Sequence, residues 1–328
     1  MLFFLSLYRF FVCINMKLPL GKSQMDLVFR SLLCIFAGDL NKKTMKGKQI
    51  LLINDMAGYG KVATAAMLPI LSYMGHPTYN LPTALVSNTL DYGKFNLMDT
   101  TDYMCGVFPV WKELGFSFDA IATGFIASER QADVVANYCR EQAALGTIVF
   151  VDPIMGDDGK LYNGVTPSTI ASMREMVSVA DLIFPNMTEA CYLTDTPYKK
   201  EGVTWKEARQ MVDRLRNIGS KSVLITSMPV DGQMSVVGFN HMIGEYFLLP
   251  YEEIPVHFPG TGDMFSAILI GHLLNGAPLK QSTRTAMDAL YMLIDLNKDN
   301  EDKNRGIPIE QYLAVLKGKK PTKSPKEV

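Results

Sequence analysis

A chain of 328 residues that is 48% hydrophobic and 20% charged carries enough apolar matter for a large core of the size that open α/β domains reach. Its net charge of −1 removes any general electrostatic case for nucleic acid or an anionic membrane as partner. Five cysteines (Cys13, Cys34, Cys105, Cys139, Cys191) are odd in number and have no C-x-x-C spacing. They read as thiols of a reducing compartment, the cytoplasm, without a disulfide or zinc framework.

The first stretch, Leu2 to Ile14, is apolar but broken by Arg9, and no basic run precedes it. A second apolar patch, Ser31 to Ala37, is too short to span a bilayer, and no small-residue cleavage site follows. Met45-Lys46-Gly47-Lys48-Gln49 stands directly before the first clear strand. Translation is expected to start at Met45, with residues 1–45 an extension outside the fold.

From Gln49 onward, short apolar runs alternate with amphipathic segments. Ile50-Leu51-Leu52-Ile53 reads as a buried strand ending in Asn54-Asp55-Met56-Ala57-Gly58-Tyr59-Gly60, and a helix follows from about Ala63 to Gly75. Thr78 to Val86 is extended but contains Pro82, which predicts an edge or bulged strand. Thr100 to Leu114 reads as helix and Asp119 to Gly124 as strand. Ser128 to Leu145 is helical, with Ser128 as N-cap and Gly146 at the stop.

Thr147 to Pro153 is another buried strand, Ser168 to Val179 a helix, Asp181 to Asn186 a short strand and Thr188 to Leu193 a short helix. Trp205 to Ile218 predicts a helix and Ser222 to Thr226 a strand. Met234 to Phe239 and Glu245 to Leu249 form an antiparallel pair. Helices at Gly262–Leu274, Leu279–Leu296 and about Ile309–Leu316 close the chain, before a basic, flexible tail at 319–328. Near-continuous Val/Ile/Leu strands separated by helices predict one α/β domain over 46–318, a three-layer α/β/α sandwich around a mainly parallel sheet. Ligands of such sheets lie beyond the carboxyl ends of the strands. Polar clusters stand at five of those ends: Asn54-Asp55, Thr123-Gly124, Asp152, Asn186 and Thr226-Ser227.

The chemistry concentrates in Pro259-Gly260-Thr261-Gly262-Asp263, followed by an apolar run at helical spacing. A helix starting near Gly262 aims unpaired N–H groups and the positive end of its dipole at whatever sits above the turn, an anion site suited to phosphate. Asp263 is then either a base for a substrate hydroxyl in phosphoryl transfer or a carboxylate that only caps the helix. In Asp152-Pro153-Ile154-Met155-Gly156-Asp157-Asp158-Gly159-Lys160, Asp152 or Asp157 could organise Mg²⁺ beside nucleotide phosphates. Asp158 and Lys160 fit a solvated turn better. In Pro185-Asn186-Met187-Thr188-Glu189, Asn186 either caps the helix or faces the cleft with Glu189.

Taken in order, I-N-D-M-A-G-Y-G-K, D-P-I-M-G-D-D-G-K-L-Y, P-N-M-T-E-A and G-T-G-D resemble the pyridoxal (vitamin B6) kinases of the ribokinase-like superfamily, and most the bacterial pyridoxamine/pyridoxal kinase branch. The resemblance covers roughly residues 48–297. It implies transfer of the γ-phosphoryl group of ATP, with Mg²⁺, to the 5′-hydroxymethyl of pyridoxal, pyridoxine or pyridoxamine, by a homodimer stimulated by a monovalent cation such as K⁺. By position it implies Asp263 as base and Gly260, Thr261 and Gly262 as the N–H cradle. It also implies Asp152, Asn186, Thr226 and Ser227 around the nucleotide, and Asp157 and Glu189 at the metal.

The vitamer pocket falls on Asn54, Val86, Ser87, Thr89 and Phe125, with departures. Many members of the family have Ser at Asn54, whose amide can still meet the ring nitrogen or hydroxyl. Leu90 occupies the position of an expected threonine, with Thr89 adjacent, and Phe125 lacks a hydroxyl. The hydroxymethylpyrimidine kinases of the same superfamily are the nearest alternative, but they usually carry Cys where this chain has Asp263. A non-catalytic B6-binding protein is the other alternative, and it would not need Asp263 or the glycine cradle.

Overall fold

The computed structural model describes residues 47–162 and 165–317. The expected extension at 1–45 and the tail at 319–328 lie outside the described residues. Contacts divide the chain into Met1–Lys46 and Gly47–Val328, and the described residues fall in the second unit. Among the described residues no helix is long and apolar enough to cross a membrane.

The elements, in order, are β1 Ile50–Ala57, α1 Ala63–Tyr73, β2 Thr78–Val86, β3 Leu97–Asp99, α2 Thr101–Glu113, β4 Ala120–Thr123, α3 Glu129–Ala144 and β5 Ile148–Val151. A small hairpin follows, β6 Gly156–Asp157 and β7 Lys160–Leu161, then α4 Pro167–Ser178, β8 Leu182–Ile183, α5 Met187–Leu193 and α6 Trp205–Ile218. β9 Ser222–Val230, β10 Gln233–Asn240, β11 Glu245–Pro250, α7 Thr261–Leu274 and α8 Leu279–Asn297 complete the unit. The nine-stranded sheet has the order β11-β10-β9-β8-β5-β4-β1-β2-β3. The six strands from β9 to β2 run parallel, while β3 and β10 pair antiparallel with their neighbours β2 and β9.

Alternation along each strand sorts the core into two layers. Leu51, Ile53, Ile121, Val149 and Val151 bury against one set of helices with Val135, Met173 and Leu215. Ile50, Leu52, Ala120, Ala122 and Phe150 bury on the other face with Ile70, Ile268 and Leu293. Both faces of the parallel strands are therefore dry, which is why these strands read as unbroken apolar runs. Truncating one of these fully buried side chains costs about 2–5 kcal/mol.

Helix starts follow local capping chemistry. The Ser128 side chain accepts from Gln131 N, and Thr166, Asn186 and Thr204 each form a reciprocal capping box with the residue three positions on. α7 departs from this pattern. Its N-cap, Gly260, is left-handed and offers no side chain to the first turn.

Three features differ from the sequence expectation, and a fourth decides between its alternatives. β2 is not an edge strand, because the short β3 covers it, but it does carry the bulge, with Thr83 and Ala84 lying between the Asn54↔Pro82 and Met56↔Leu85 pairs. β9 runs past Thr226 to Val230 because β10 supplies an antiparallel partner beyond a second bulge. The hairpin β6–β7 turns through Asp158 and Gly159, both at positive φ. The last helix is replaced by 3-10 turns, Ile309–Gln311 and Leu313–Lys317. Ile309, Tyr312 and Val315 are buried there at the three-residue repeat of that geometry.

Candidate active site

The chain reverses direction across the sheet between β1 and β4, so a crevice opens at their carboxyl ends. Asn54, at the end of β1, bridges it. Its buried Oδ1 accepts from Phe125 N at 2.8 Å and from Asp55 N at 2.9 Å. Its Nδ2 donates to Asp263 Oδ1 at 3.3 Å, with Met67 Sδ 3.7 Å away. Gly124 is required beneath this bridge, since a Cβ there would lie 2.4 Å from Asn54 Oδ1.

Asp263 sits in the first turn of α7. Its Oδ2 accepts from Ala63 N at 2.7 Å, and Ala63 takes the unusual left-handed φ of 48° at the start of α1. Burial raises the proton affinity of Asp263, and the bonds from Ala63 and Asn54 pull it back. The carboxylate is thus ionisable, oriented on two sides and partly open. The N–H groups of Gly260, Thr261 and Gly262 beside it donate to no group among the described residues, while Thr261 Oγ1 donates to Phe258 O at 3.2 Å. Gly260 holds φ at 81°, and a Cβ there would lie 2.2 Å from Lys61 O, so only glycine fits without strain. A carboxylate adjoining free N–H groups at a helix start can take a proton and hold an anion in one place.

Three further strand ends border the same crevice. Asp152, after β5, accepts from Ser266 Oγ at 3.3 Å. Burial raises its proton affinity, and Glu189 and Asp263 add to the effect. Glu189, in α5, accepts from Asn186 N at 2.8 Å and Met155 N at 3.0 Å. Even so, burial pushes its pKa up to about 7, because desolvation outweighs the backbone donors. Asn186 accepts from Glu189 N and donates to Gly156 O at 2.8 Å, and it bridges in parallel to Thr226. Ser227 is exposed at φ 52°, at the bulge of β9. Asp157 is exposed on the β6–β7 hairpin. Among the described residues no three acidic, His or Cys side chains gather closely enough to hold a metal by themselves.

The expected substrate residues divide. Ser87 is exposed and Phe125 half-buried. Val86 is buried in the ladder, and its carbonyl accepts from Gly58 N at 2.8 Å. Thr89 is buried, and its hydroxyl donates to Asn304 O at 2.6 Å. In this structure the amide of Asn54 and the hydroxyl of Thr89 therefore serve protein partners, where the sequence led us to expect contacts with a ring. Asn186 likewise takes its capping alternative.

Two residues escape the sequence pattern. Ser266 stands three positions after Asp263, on the same face of α7, and that spacing was its available signal. Asp55, next to Asn54, is pushed up to a pKa of about 7 by burial and by the nearby Asp263.

The family model for phosphomethylpyrimidine kinase matches residues 112–307. A pyridoxal kinase of Deinococcus radiodurans is 28% identical over 268 residues, 76% of this chain and 87% of its own. A candidate phosphomethylpyrimidine kinase of Bacteroides thetaiotaomicron VPI-5482, crystallised with pyridoxal, is 35% identical. It superimposes with a TM-score of 0.77 over 85% of this chain and 98% of its own. A pyridoxal kinase of Lactobacillus plantarum is 26% identical, with a TM-score of 0.75 over 83% and 97%.

Proposed function

The chain belongs to the phosphomethylpyrimidine kinase family, and from that membership we propose that it transfers the γ-phosphoryl group of ATP to the 5′-hydroxymethyl of a B6 vitamer. One observation carries the proposal: the Asp263 carboxylate, held by Ala63 N and Asn54 Nδ2, adjoins the N–H groups of Gly260 to Gly262, which have no partner among the described residues. The relatives named for pyridoxal, or crystallised with it, supply the substrate class.

In this scheme Asp263 accepts the proton of the substrate hydroxyl as its oxygen forms the new bond to the γ-phosphorus. The bond from that phosphorus to the bridging oxygen breaks, and ADP leaves. The Gly260–Gly262 amides stabilise the charge on the transferring oxygens, an effect that strengthens as water is excluded. Asp152, Asn186, Thr226 and Ser227 border the nucleotide phosphates, and Ser87 and Phe125 border the vitamer.

Burial and mutual repulsion favour the protonated forms of Asp152 and Glu189, so this acidic border fits a divalent cation held mostly by phosphate oxygens and water. Mg²⁺, when bound, would neutralise phosphate charge, with Glu189 and Asp157 as its nearest protein holders. A stimulating K⁺ belongs to the same proposal.

A homodimer is supported by the β3 edge, where Leu85 and Met98 stand opposite each other at 43% and 56% exposure. Cytoplasmic residence is supported by Cys105, Cys139 and Cys191, all free thiols. The family model's description, phosphomethylpyrimidine kinase, points to a pyrimidine acceptor and so keeps a second reading, hydroxymethylpyrimidine. A coupled ADP-release assay across pyridoxal, pyridoxine, pyridoxamine and hydroxymethylpyrimidine decides. Turnover with a B6 vitamer is expected, and turnover with the pyrimidine alone would replace the first reading by the second.

A further inference from the structure

β1 ends in two polar residues, and the contacts above account only for Asn54. Successive residues of a strand face opposite sides, so Asp55 leaves the sheet on the side of Leu51 and Ile53, opposite to Asn54. The bulge in β2 falls at this level and sets Thr83 and Ala84 beside Asp55. β4 brings Thr123 to the same face, paired with Ile53.

The polar side chains of Asp55, Thr83 and Thr123 have few protein partners here. Asp55 is partly buried, and the hydrogen bond its carboxylate takes among the described residues comes from its own backbone N–H, which also bonds Asn54 Oδ1. The hydroxyls of Thr83 and Thr123 are buried and have no partner. Buried polar groups without partners are rare, because each forfeits its hydration for nothing. Asp55 pays that cost beside a second carboxylate, Asp263, which raises its proton affinity further. With the two hydroxyls buried, the partly exposed Asp55 carboxylate is the group at this spot that a ligand's donor can reach.

Resting on the function proposed above, we infer that Asp55 reads the ring nitrogen of the vitamer, pairing its carboxylate with the pyridinium N–H while Asp263 faces the hydroxymethyl. The chemistry suits the two acids. The nitrogen of a B6 ring stands meta to the carbon that bears the hydroxymethyl, so one ring presents a donor to each carboxylate. A 3-hydroxypyridine exchanges between an uncharged form and a zwitterion with a protonated nitrogen. A carboxylate at the nitrogen favours the zwitterion, and one proton lies between the two groups whichever carries it. Asn54, with its amide committed to Phe125, Asp55 and Asp263, leaves the nitrogen to its neighbour.

The test uses the full chain, pyridoxine as ligand, and the carbocyclic phenol that has the same substituents but no ring nitrogen. Asp55→Asn should raise the Kd and KM for pyridoxine by about tenfold or more, the range of a charged hydrogen bond, with a much smaller effect on kcat. The near-ultraviolet band of bound pyridoxine should be that of the zwitterion on the wild type and shift towards the uncharged form on the variant. The phenol should bind both proteins alike. Thermal unfolding at pH 8 should show the variant at least as stable as the wild type; if it is less stable, the bound spectrum and the phenol comparison still separate recognition from folding. Equal Kd and equal spectra for the two proteins overturn the assignment of Asp55 alone. A wild type that neither binds nor phosphorylates any vitamer overturns the proposed function, and this inference with it.

Discussion

Asn54 Nδ2 stands 3.3 Å from Asp263 Oδ1, across a separation of 209 residues in the chain. The same amide holds Phe125 N and Asp55 N through its oxygen, so one buried side chain ties the ends of β1 and β4 to the first turn of α7.

Asn54→Ala should therefore lower stability and activity together. It strands two backbone donors, at about 1–3 kcal/mol each if both stay buried, and frees Asp263 to rotate. Gly124→Ala attacks the same bridge from below, since its Cβ would overlap the Asn54 amide. A cost of about 1–3 kcal/mol is expected from such overpacking. Urea unfolding and ADP-release kinetics on both variants check this; an Asn54→Ala enzyme with wild-type kcat contradicts it.

Gly260→Ala tests the anion cradle. At φ 81°, with Lys61 O only 2.2 Å from the new Cβ, the alanine forces the loop to shift, at about 1–3 kcal/mol. Moving one donor of such a hole typically costs about 10²–10³ in kcat. The loss should fall on kcat, with vitamer Kd nearly unchanged by equilibrium binding.

The pH profile should carry a raised acid limb. Burial lifts the proton affinity of Asp263, and the base works only when ionised, so kcat/KM should fall on acidification above the ordinary carboxylate range. Removing the Asn54 donor, which opposes that rise, should move the limb to higher pH. A limb at the usual aspartate value contradicts this environment for Asp263.

Stability of the ligand-free protein should fall as pH rises from about 4 to about 7. Asp55 and Glu189 keep their protons in the folded state up to about 7, whereas the unfolded chain loses them near the ordinary values of 3.8 and 4.5. Over that window the folded state binds more protons, so its advantage shrinks as pH rises. Asp55→Asn should recover on the order of 2 kcal/mol at pH 8, and little at pH 4, after discounting for its partial exposure. Glu189→Gln should not, because an amide NH₂ cannot accept from Asn186 N or Met155 N. Chemical unfolding at the two pH values reads both.

Much of this was legible in the residues. The apolar runs of β1, β4 and β5 announced a parallel sheet because both of its faces are buried. Ser128, Asn186 and Thr204 mark helix starts through bonds to the residue three places on, a rule local enough to read directly. G-T-G-D announced a helix start with an anion site above it, but left open whether Asp263 caps that helix. What stayed hidden depends on partners far apart in sequence. Whether Asn54 faces a ligand or Asp263 is decided by a residue beyond position 260, and whether Thr89 is free is decided by Asn304. Asp55 stood in the I-N-D-M-A-G-Y-G-K stretch and in the polar cluster ending β1, with no role of its own assigned. Its character comes from the bulge opposite it and from a second acid brought close by folding.

The most direct test of the central claim is single-turnover phosphoryl transfer to pyridoxal by wild type and Asp263→Asn, with vitamer binding to each measured alongside. The account predicts that the variant binds pyridoxal with similar affinity but transfers phosphate about 10²–10⁴-fold more slowly, the usual contribution of a general base. Transfer by Asp263→Asn at the wild-type rate would contradict it.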